Sequence, residues 1–414
     1  MDVQTLDPDL VAGRRLMGRL DAFAAFSDEP RRLTRLFLSD AHQRAAQAFI
    51  GWCGEAGLDA RIDAAGNVVA RYEGRRAGAP TLMLGSHIDT VRDAGRYDGN
   101  YGALAALAVV ETLAERGERL DHAIEIVAFG DEEGVRFRTT LTGSRALAGT
   151  YPEDALDQRD SSGVSMREAL KAFGGDPERA GSISRTGVAA FVEAHIEQGP
   201  ILEAEGLPLG IVTAINGATR LEVGVDGVAG HAGATPMRLR RDALTAAAEM
   251  ALAIEARARG EADLVATVGR FDVWPDATNV IPGHVQFSID IRSPDDARRS
   301  AARIDLEQLI GAIAAARGVS VSVAIPHDAN AFACDPSVIA DLKKAVEAVG
   351  IPPRLLPSGA GHDTMVMGKL CPAGMLFVRC KGGVSHNPLE SITVEDCALG
   401  LTALTRYARD FRAA

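Results

Sequence analysis

Four short stretches of this chain concentrate side chains that do chemistry. GSHIDTVRDAGRYDGNYG carries His87, Asp89 and Asp98, and FGDEEGVRF carries Asp131, Glu132 and Glu133. VEAHIEQGP carries His195, Glu197 and Gln198, and GGVSHNPLE carries His386. Imidazoles and carboxylates in combination are ligands for zinc, manganese or cobalt. Two dications about 3.5–4 Å apart repel strongly, so a pair of them needs one acidic residue shared between both. Three histidines and two carboxylates suffice for such a pair around one water, with one further carboxylate free to act as a base. Each stretch also has a bland alternative. A lone histidine after a strand is more often a hydrogen-bonded structural residue than a ligand, and adjacent acids are usually a solvated turn. A solvated turn does not usually follow a wholly apolar strand and precede Gly-Val, and the four stretches together weigh more than any one. His42, His122, His284 and His327 have polar surroundings in sequence and no partner motif, and read as residues without a role in the chemistry.

These stretches must be carried to one place. The first, second and fourth directly follow apolar runs, and the third follows a shorter one, AAFV. TLMLGS from Thr81 and AIEIVAFG from Ala123 read as buried strands, the Ala/Leu/Val segment Tyr101–Glu115 between them as a buried helix, and AGMLFVRC from Ala373 as a further strand. Strand, helix, strand implies a parallel, doubly wound sheet, and ligands bind at the carboxyl ends of its strands. Residues 1 to about 80 read as helical, most clearly in LTRLFLS and AHQRAAQAFIGWCGEAG, with Gly57 as a stop. From about Ile211 to Ile325 the pattern is strand, strand, helix, strand, strand, helix, strand. Two helices on one face of a small antiparallel sheet make a compact α+β, ferredoxin-like unit. The predicted fold class is therefore α/β: a mostly parallel, doubly wound sheet from residues 1–212 and 331–414, with an α+β domain inserted at 213–330.

A length of 414 residues favours two domains over one core. The formal net charge of -12 argues against a nucleic-acid or membrane-surface binder, and local cations would have to hold any anionic substrate. Five scattered cysteines with no C-x-x-C pair argue against a disulfide framework or a thiolate zinc site. The first residues lack the apolar core of a signal peptide, so the expected location is the cytoplasm. No apolar run approaches membrane-spanning length.

Taken in order, GSHIDTV, DAGRYDGNYG, DEEGVRF, AHIEQGP, GHAGATP, SGAGHD and SHNP resemble the hydantoinase/carbamoylase branch of the M20 metallohydrolases, over nearly the whole chain. Within it, DAGRYDG, DEEGVRF and MLFVRCKGGVSHNP resemble the plant-type allantoate amidohydrolases. The resemblance implies two divalent ions, zinc or manganese. His87 would bind one, His195 the same ion or its neighbour, Asp98 both, and Glu133 and His386 the second. Glu132 would be the general base, an ordering of Glu132 and Glu133 that the residues alone leave open. Asp89, two residues from His87, suits a partner that fixes a ligand's orientation. A strained or cis peptide between Asp98 and Gly99 is also implied.

Beyond the ions, the resemblance implies that His231 stabilises a tetrahedral intermediate in the other subunit of a homodimer. Arg292 would pair with a substrate carboxylate, and Gln198, Asn279, Gly361 and His362 would contact substrate. The inserted domain would serve as lid and dimerisation unit. The implied reaction is hydrolysis of a ureido C–N bond in a small anion, allantoate, giving ureidoglycine, ammonia and carbon dioxide. The nearest alternatives are an N-carbamoyl-L-amino-acid hydrolase and a β-ureidopropionase, and the remote one is an inactive scaffold of the same fold. A scaffold would be expected to lose ligands, and here all five and Glu132 are present.

Overall fold

The structure is a computed structural model that describes residues 8–413. The chain forms two compact units. The first takes residues up to Thr213, Cys334–Leu356 and those from Ala360 onward; the second takes Ala214–Ala333 with Pro357–Gly359. In chain order the strands are β1 (Ala60–Ile62), β2 (Val68–Tyr72), β3 (Thr81–His87), β4 (Ala123–Phe129), β5 (Val188–Ile196), β6 (Leu209–Ile215) and β7 (Gly217–Asp226). They continue with β8 (Gly230–His231), β9 (Val265–Trp274), β10 (Val280–Ile281), β11 (His284–Ser293), β12 (Ser320–Ala329), β13 (Phe332–Ala333), β14 (Leu355–Ser358) and β15 (Ala373–Val378).

The main sheet runs β1-β2-β4-β3-β5-β15-β6-β13, with β14 beside β6. Its central strands β4, β3, β5 and β15 are parallel. Such strands are covered on both faces and read as continuous apolar runs, and every residue of β3 is buried. The flanks reverse: β2 is antiparallel to β4, β1 to β2, and β6 to β15. The sheet is thus mixed, and the expected parallel arrangement holds for its central block. The link from Ile62 to Val68 is too short for a parallel crossover, which needs a dozen or more residues. Asp63 Oδ1 instead closes it as a turn by accepting from Ala65 N and Asn67 N.

Of the helical expectation for residues 1 to about 80, residues 1–7 lie outside the described residues, Pro8–Phe23 is a helix, and two later stretches differ. Asp40–Glu55 is a helix, capped by Ser39 accepting from His42 N, and Gly57 follows it at φ +75°. Residues 60–72 form β1 and β2, because VVARY is β-branched and pairs with β4. Leu33–Ser39 is irregular. Its backbone bonds go to tertiary partners: Arg35 N donates to Thr90 Oγ1 and Arg35 O accepts from Thr90 N. The fully buried Arg35 guanidinium donates to the carbonyls of Phe23 and Ile88 and to Asn100 Oδ1. His42 is not in polar surroundings; it is buried, stacked on Phe173 with ring centroids 4.8 Å apart, and its Nδ1 accepts from Leu38 N at 3.0 Å.

The helix Asn100–Glu115 lies against the parallel block and is buried on nearly every side. Gly102 permits this closeness, since a Cβ there would run into the carbonyl oxygen of Ala194 in β5. All five cysteines fall in the first unit, free and buried. The second unit is a four-stranded antiparallel sheet, β12-β7-β11-β9. Val223 and Val225 of β7 and Phe287 and Ile289 of β11 pack with Met250 and Ile254 of helix Ala243–Arg259 and Leu306 and Ile310 of helix Asp296–Arg317. This is a ferredoxin-like α+β unit with period-two burial along β11. A two-residue ribbon joins β8 to β10.

Candidate metal centre

The parallel strands deliver the acidic and imidazole side chains to one edge of the sheet in the first unit. His87 is the last residue of β3, His195 the penultimate residue of β5, and Glu132 and Glu133 follow β4. Asp98 precedes Gly99 at the start of the helix Asn100–Glu115. Asp98 sits amid three imidazoles: its Oδ1 lies 3.5 Å from His87 Nε2 and 3.2 Å from His195 Nε2, and its Oδ2 lies 3.1 Å from His386 Nε2. Glu133 Oε2 is 3.7 Å from His386 Nε2. Groups of possible ligand atoms within 4.8 Å of one another are His87/Asp98/His195, His87/Glu132/Glu133, Asp98/Glu133/His386 and Glu193/His195/His362.

The donor set fits divalent ions. His87 Nδ1 meets the carbonyl of Asp89 at 3.0 Å and His195 Nδ1 meets that of Ile196 at 2.8 Å. Each ring therefore carries a proton on Nδ1, and in its neutral form has an Nε2 lone pair to offer beside Asp98, the arrangement in which a histidine binds a metal. Glu133 Oε1 is buried without a hydrogen-bond partner among the described residues. Asp89 orients His87 through its backbone carbonyl. Its carboxylate, 3.8 Å from the ring, instead accepts from Glu132 N at 3.2 Å and Glu133 N at 3.3 Å.

Electrostatics at this edge are mutual. Burial would raise Asp98, but hydrogen bonds from His195, His386 and His87 hold it well below the usual carboxylate range. The hydrogen bond to Asp98 lifts His386 to about 9 against the effect of burial. Burial and the charge of Asp98 push Glu133 up to about 7. Burial raises Glu132 well above its ordinary value; a nearby His87 charge opposes this, and Glu133, Asp363 and Asp89 add to it. Burial and the charge of His195 hold His362 neutral, well below the imidazole range.

Two residues that carry site functional groups have left-handed backbones without being glycine, Gln198 at φ +56° and His386 at +53°, and so does Asp131, just before Glu132, at +65°. This conformation costs about 1–2 kcal/mol per residue, and it persists where surrounding structure enforces it. Of the strained or cis peptide expected between Asp98 and Gly99, the cis form is not there; among the described residues the cis bond is Trp274–Pro275. The turn is made by Gly99 at φ +63°, whose N–H donates to His195 Nε2.

Other residues singled out in the sequence distribute between the units. Gln198 reaches the cluster, with Nε2 donating to Asp98 Oδ2 and Ser385 Oγ at 3.0 Å each. His362 is buried edge-on to His195, with Gly361 in the loop before it. In the second unit, His231 and Asn279 are brought together by the β8–β10 ribbon, and Asn279 O accepts from Ala232 N. Arg292 is engaged: Nε and Nη2 hold Asp290 at 2.7 and 3.0 Å, and Nη1 holds the carbonyl of Gly359. Sequence reasoning missed Glu193 and Glu390. Glu193 is buried and accepts from Ser86 Oγ, Thr364 N and Thr364 Oγ1. A signal existed for it, because an acid two residues before His195 in a strand shares the histidine's face.

Clusters of imidazole and carboxylate at the carboxyl ends of parallel strands define the site of a metal-dependent hydrolase. Residues 83–410 match the peptidase family M20/M25/M40. The chain is 42% identical over 398 residues to an N-carbamoyl-L-amino acid amidohydrolase of Geobacillus stearothermophilus, covering 95% of this chain and 97% of that one. It is 40% identical over 424 residues to an allantoate deiminase of Arabidopsis thaliana, covering 94% and 80%. A solved amidase of the hydantoinase/carbamoylase family from Burkholderia multivorans superposes with a TM-score of 0.92 at 35% identity, covering 97% and 98%. The chain belongs to peptidase family M20, in its hydantoinase/carbamoylase branch. Among the described residues no helix is long and apolar enough to cross a membrane.

Proposed function

We propose that this chain cleaves the ureido C–N bond of a small carboxylate, with allantoate as substrate and ureidoglycine, ammonia and carbon dioxide as products. The observation that carries the reading is Asp98, one oxygen turned to His87 and His195 and the other to His386. His87 and His195 would hold one ion, zinc or manganese, Glu133 and His386 the other, and Asp98 both. When bound, the ions polarise the scissile carbonyl and acidify a coordinated water to a pKa of about 7. That help is needed because nitrogen donates into a urea-type carbonyl from both sides. Glu132 takes the proton of the attacking water and returns it to the departing nitrogen. The carbamate released falls apart to carbon dioxide and ammonia.

Gln198, Gly361, His362, Asn279 and Arg292 contact the substrate in this reading. Gln198 Oε1 is buried with no hydrogen-bond partner among the described residues, which suits it to accept from a ureido N–H. Arg292 has three of its five N–H groups engaged, and a substrate carboxylate would take the remaining two. His231 supplies a donor to the tetrahedral intermediate, across a homodimer formed through residues of about 213–330. Five unpaired cysteines agree with work in the reducing cytoplasm.

A second reading, an N-carbamoyl-L-amino-acid hydrolase, is favoured by the 42% identical relative of that name. Both use the same chemistry and differ in the group beyond the ureido nitrogen. The test is kcat/KM for allantoate beside N-carbamoyl-L-amino acids and N-carbamoyl-β-alanine, after loading with manganese or zinc. Preference for a carbamoyl amino acid by about tenfold, roughly 1.4 kcal/mol in transition-state stabilisation, overturns allantoate and keeps the reaction class. No ammonia release from any of them overturns the class.

A further inference from the structure

Glu390 ends the stretch GGVSHNPLE and is only 4% exposed. One of its oxygens, Oε1, accepts from the backbone N–H of Tyr97 at 2.7 Å and of Asp98 at 3.1 Å. The other, Oε2, accepts from Ser385 Oγ at 3.0 Å. A single carboxylate thus ties the segment bearing Asp98 to the segment bearing His386, nearly three hundred residues apart in sequence. Gly95 makes the room, since a Cβ at that position would overlap the Glu390 carboxyl group. Ser385 Oγ also lies 3.2 Å from Asp98 Oδ2 and receives Gln198 Nε2, so the tie continues to the oxygen of Asp98 that faces His386.

We propose that Glu390 is a positioning residue that holds Asp98 and His386 at the separation a second ion requires; the inference rests on the two-ion reading above. Removing it would leave two N–H groups without acceptors. An unsatisfied buried donor is costly, so the Tyr97–Asp98 backbone would shift to find another partner and carry the Asp98 carboxylate with it. Glutamine should substitute well. Its Oε1 can accept both backbone N–H groups, and its amide can donate to Ser385 Oγ, whose proton then turns to Asp98 Oδ2.

Manganese is titrated into chelator-treated wild type, Glu390→Ala and Glu390→Gln by calorimetry, with ion stoichiometry and the second dissociation constant as readouts beside a urea midpoint for the fold. Glu390→Ala is expected to bind the second ion about 10–100-fold more weakly, the range found when partners of metal ligands are lost, and to weaken the first ion less, because His87 and His195 still hold it beside the shared Asp98. Glu390→Gln should restore the second affinity, a rescue that a loss of general stability would not show. Wild-type affinity for both ions in Glu390→Ala overturns the inference alone. Equal weakness of the Gln and Ala variants also overturns it, by assigning the effect to charge. A wild-type chain that takes up no second ion overturns the two-ion reading as well. Should Glu390→Ala not fold, Gly95→Ala displaces the same carboxylate, and undiminished second-ion affinity in that folded variant overturns the inference.

Discussion

Glu132 and Glu133 are adjacent in sequence but keep different company. Both fall in a group with His87, but only Glu133 also falls in the group of Asp98 and His386. Replacing Glu132 by Gln removes the proposed base and leaves the proposed ligands in place, so metal content should stay at the wild-type level while kcat falls by about 10²–10⁴. Metal analysis alongside steady-state kinetics checks this, and near-normal kcat would require another base. Asp89 allows a finer separation. Its carbonyl serves His87 and its carboxylate serves the backbone of the acid pair. Asp89→Asn puts an amide against one of those N–H groups but spares the His87 contact. Turnover is expected to drop about 10–100-fold with the ions retained; ion loss in proportion to activity would show that the side chain serves the ligands after all. At this scale the residues at strand ends were legible in sequence, because an apolar strand followed by His or Asp-Glu-Glu is a local pattern. Glu390 was not, since its partners at Tyr97 and Asp98 lie 293 and 292 residues away.

Among the elements, the parallel strands and the helix between β3 and β4 were readable from continuous apolar runs that packing then buried. The segment 33–39 misled because its leucines recur at helical spacing, whereas its backbone is taken up by Thr90. The β1–β2 pair was hidden for a related reason: β4, the strand that recruits it, is distant in sequence. The contact of the helix Asn100–Glu115 with β5 is testable through Gly102→Ala, where the added methyl meets the Ala194 carbonyl. Overpacking of this kind costs about 1–3 kcal/mol and should lower the urea midpoint. It should also weaken ion binding, since Asp98 precedes that helix; an unchanged midpoint would mean the helix yields freely. The helix Asp40–Glu55 carries a pH-sensitive residue away from the site. Burial, then the charges of Arg35 and Arg136, depress His42 to about 3. The unfolded chain binds that proton first, near pH 6.5. Stability from this group is therefore complete above about pH 6.5 and is lost toward pH 3, by about 1.4 kcal/mol per pH unit. Urea unfolding at a series of pH values should give a slope for His42→Gln shallower by one proton in that window; identical slopes would refute the assignment.

The whole molecule is two units with separate cores, one joined from segments at both ends of the chain. If His231 acts in the partner's site, inactive Glu132→Gln chains mixed with inactive His231→Ala chains should recover activity. Each mixed dimer would pair an intact Glu132 with an intact His231 at one of its two sites. Mixed dimers shown to form but remaining inactive would place His231 within its own chain's site. The burial of the cysteines has a consequence for how unfolding can be watched. Burial pushes the thiols of Cys53, Cys334, Cys371 and Cys397 up to about 12 and that of Cys380 to about 11. Few are ionised at neutral pH, and alkylation requires the thiolate. Native chains should consequently react slowly with iodoacetamide, and fast reaction marks an opened first unit. The second unit has no cysteine but holds Trp274, while the first holds the other tryptophan, Trp52. Alkylation is blind to the second unit and Trp274 emission, isolated in a Trp52→Phe chain, is blind to the first. The natural sequence thus carries a chemical clock for one unit and an optical one for the other, and comparing them with and without added ions reveals which unit the ions hold shut.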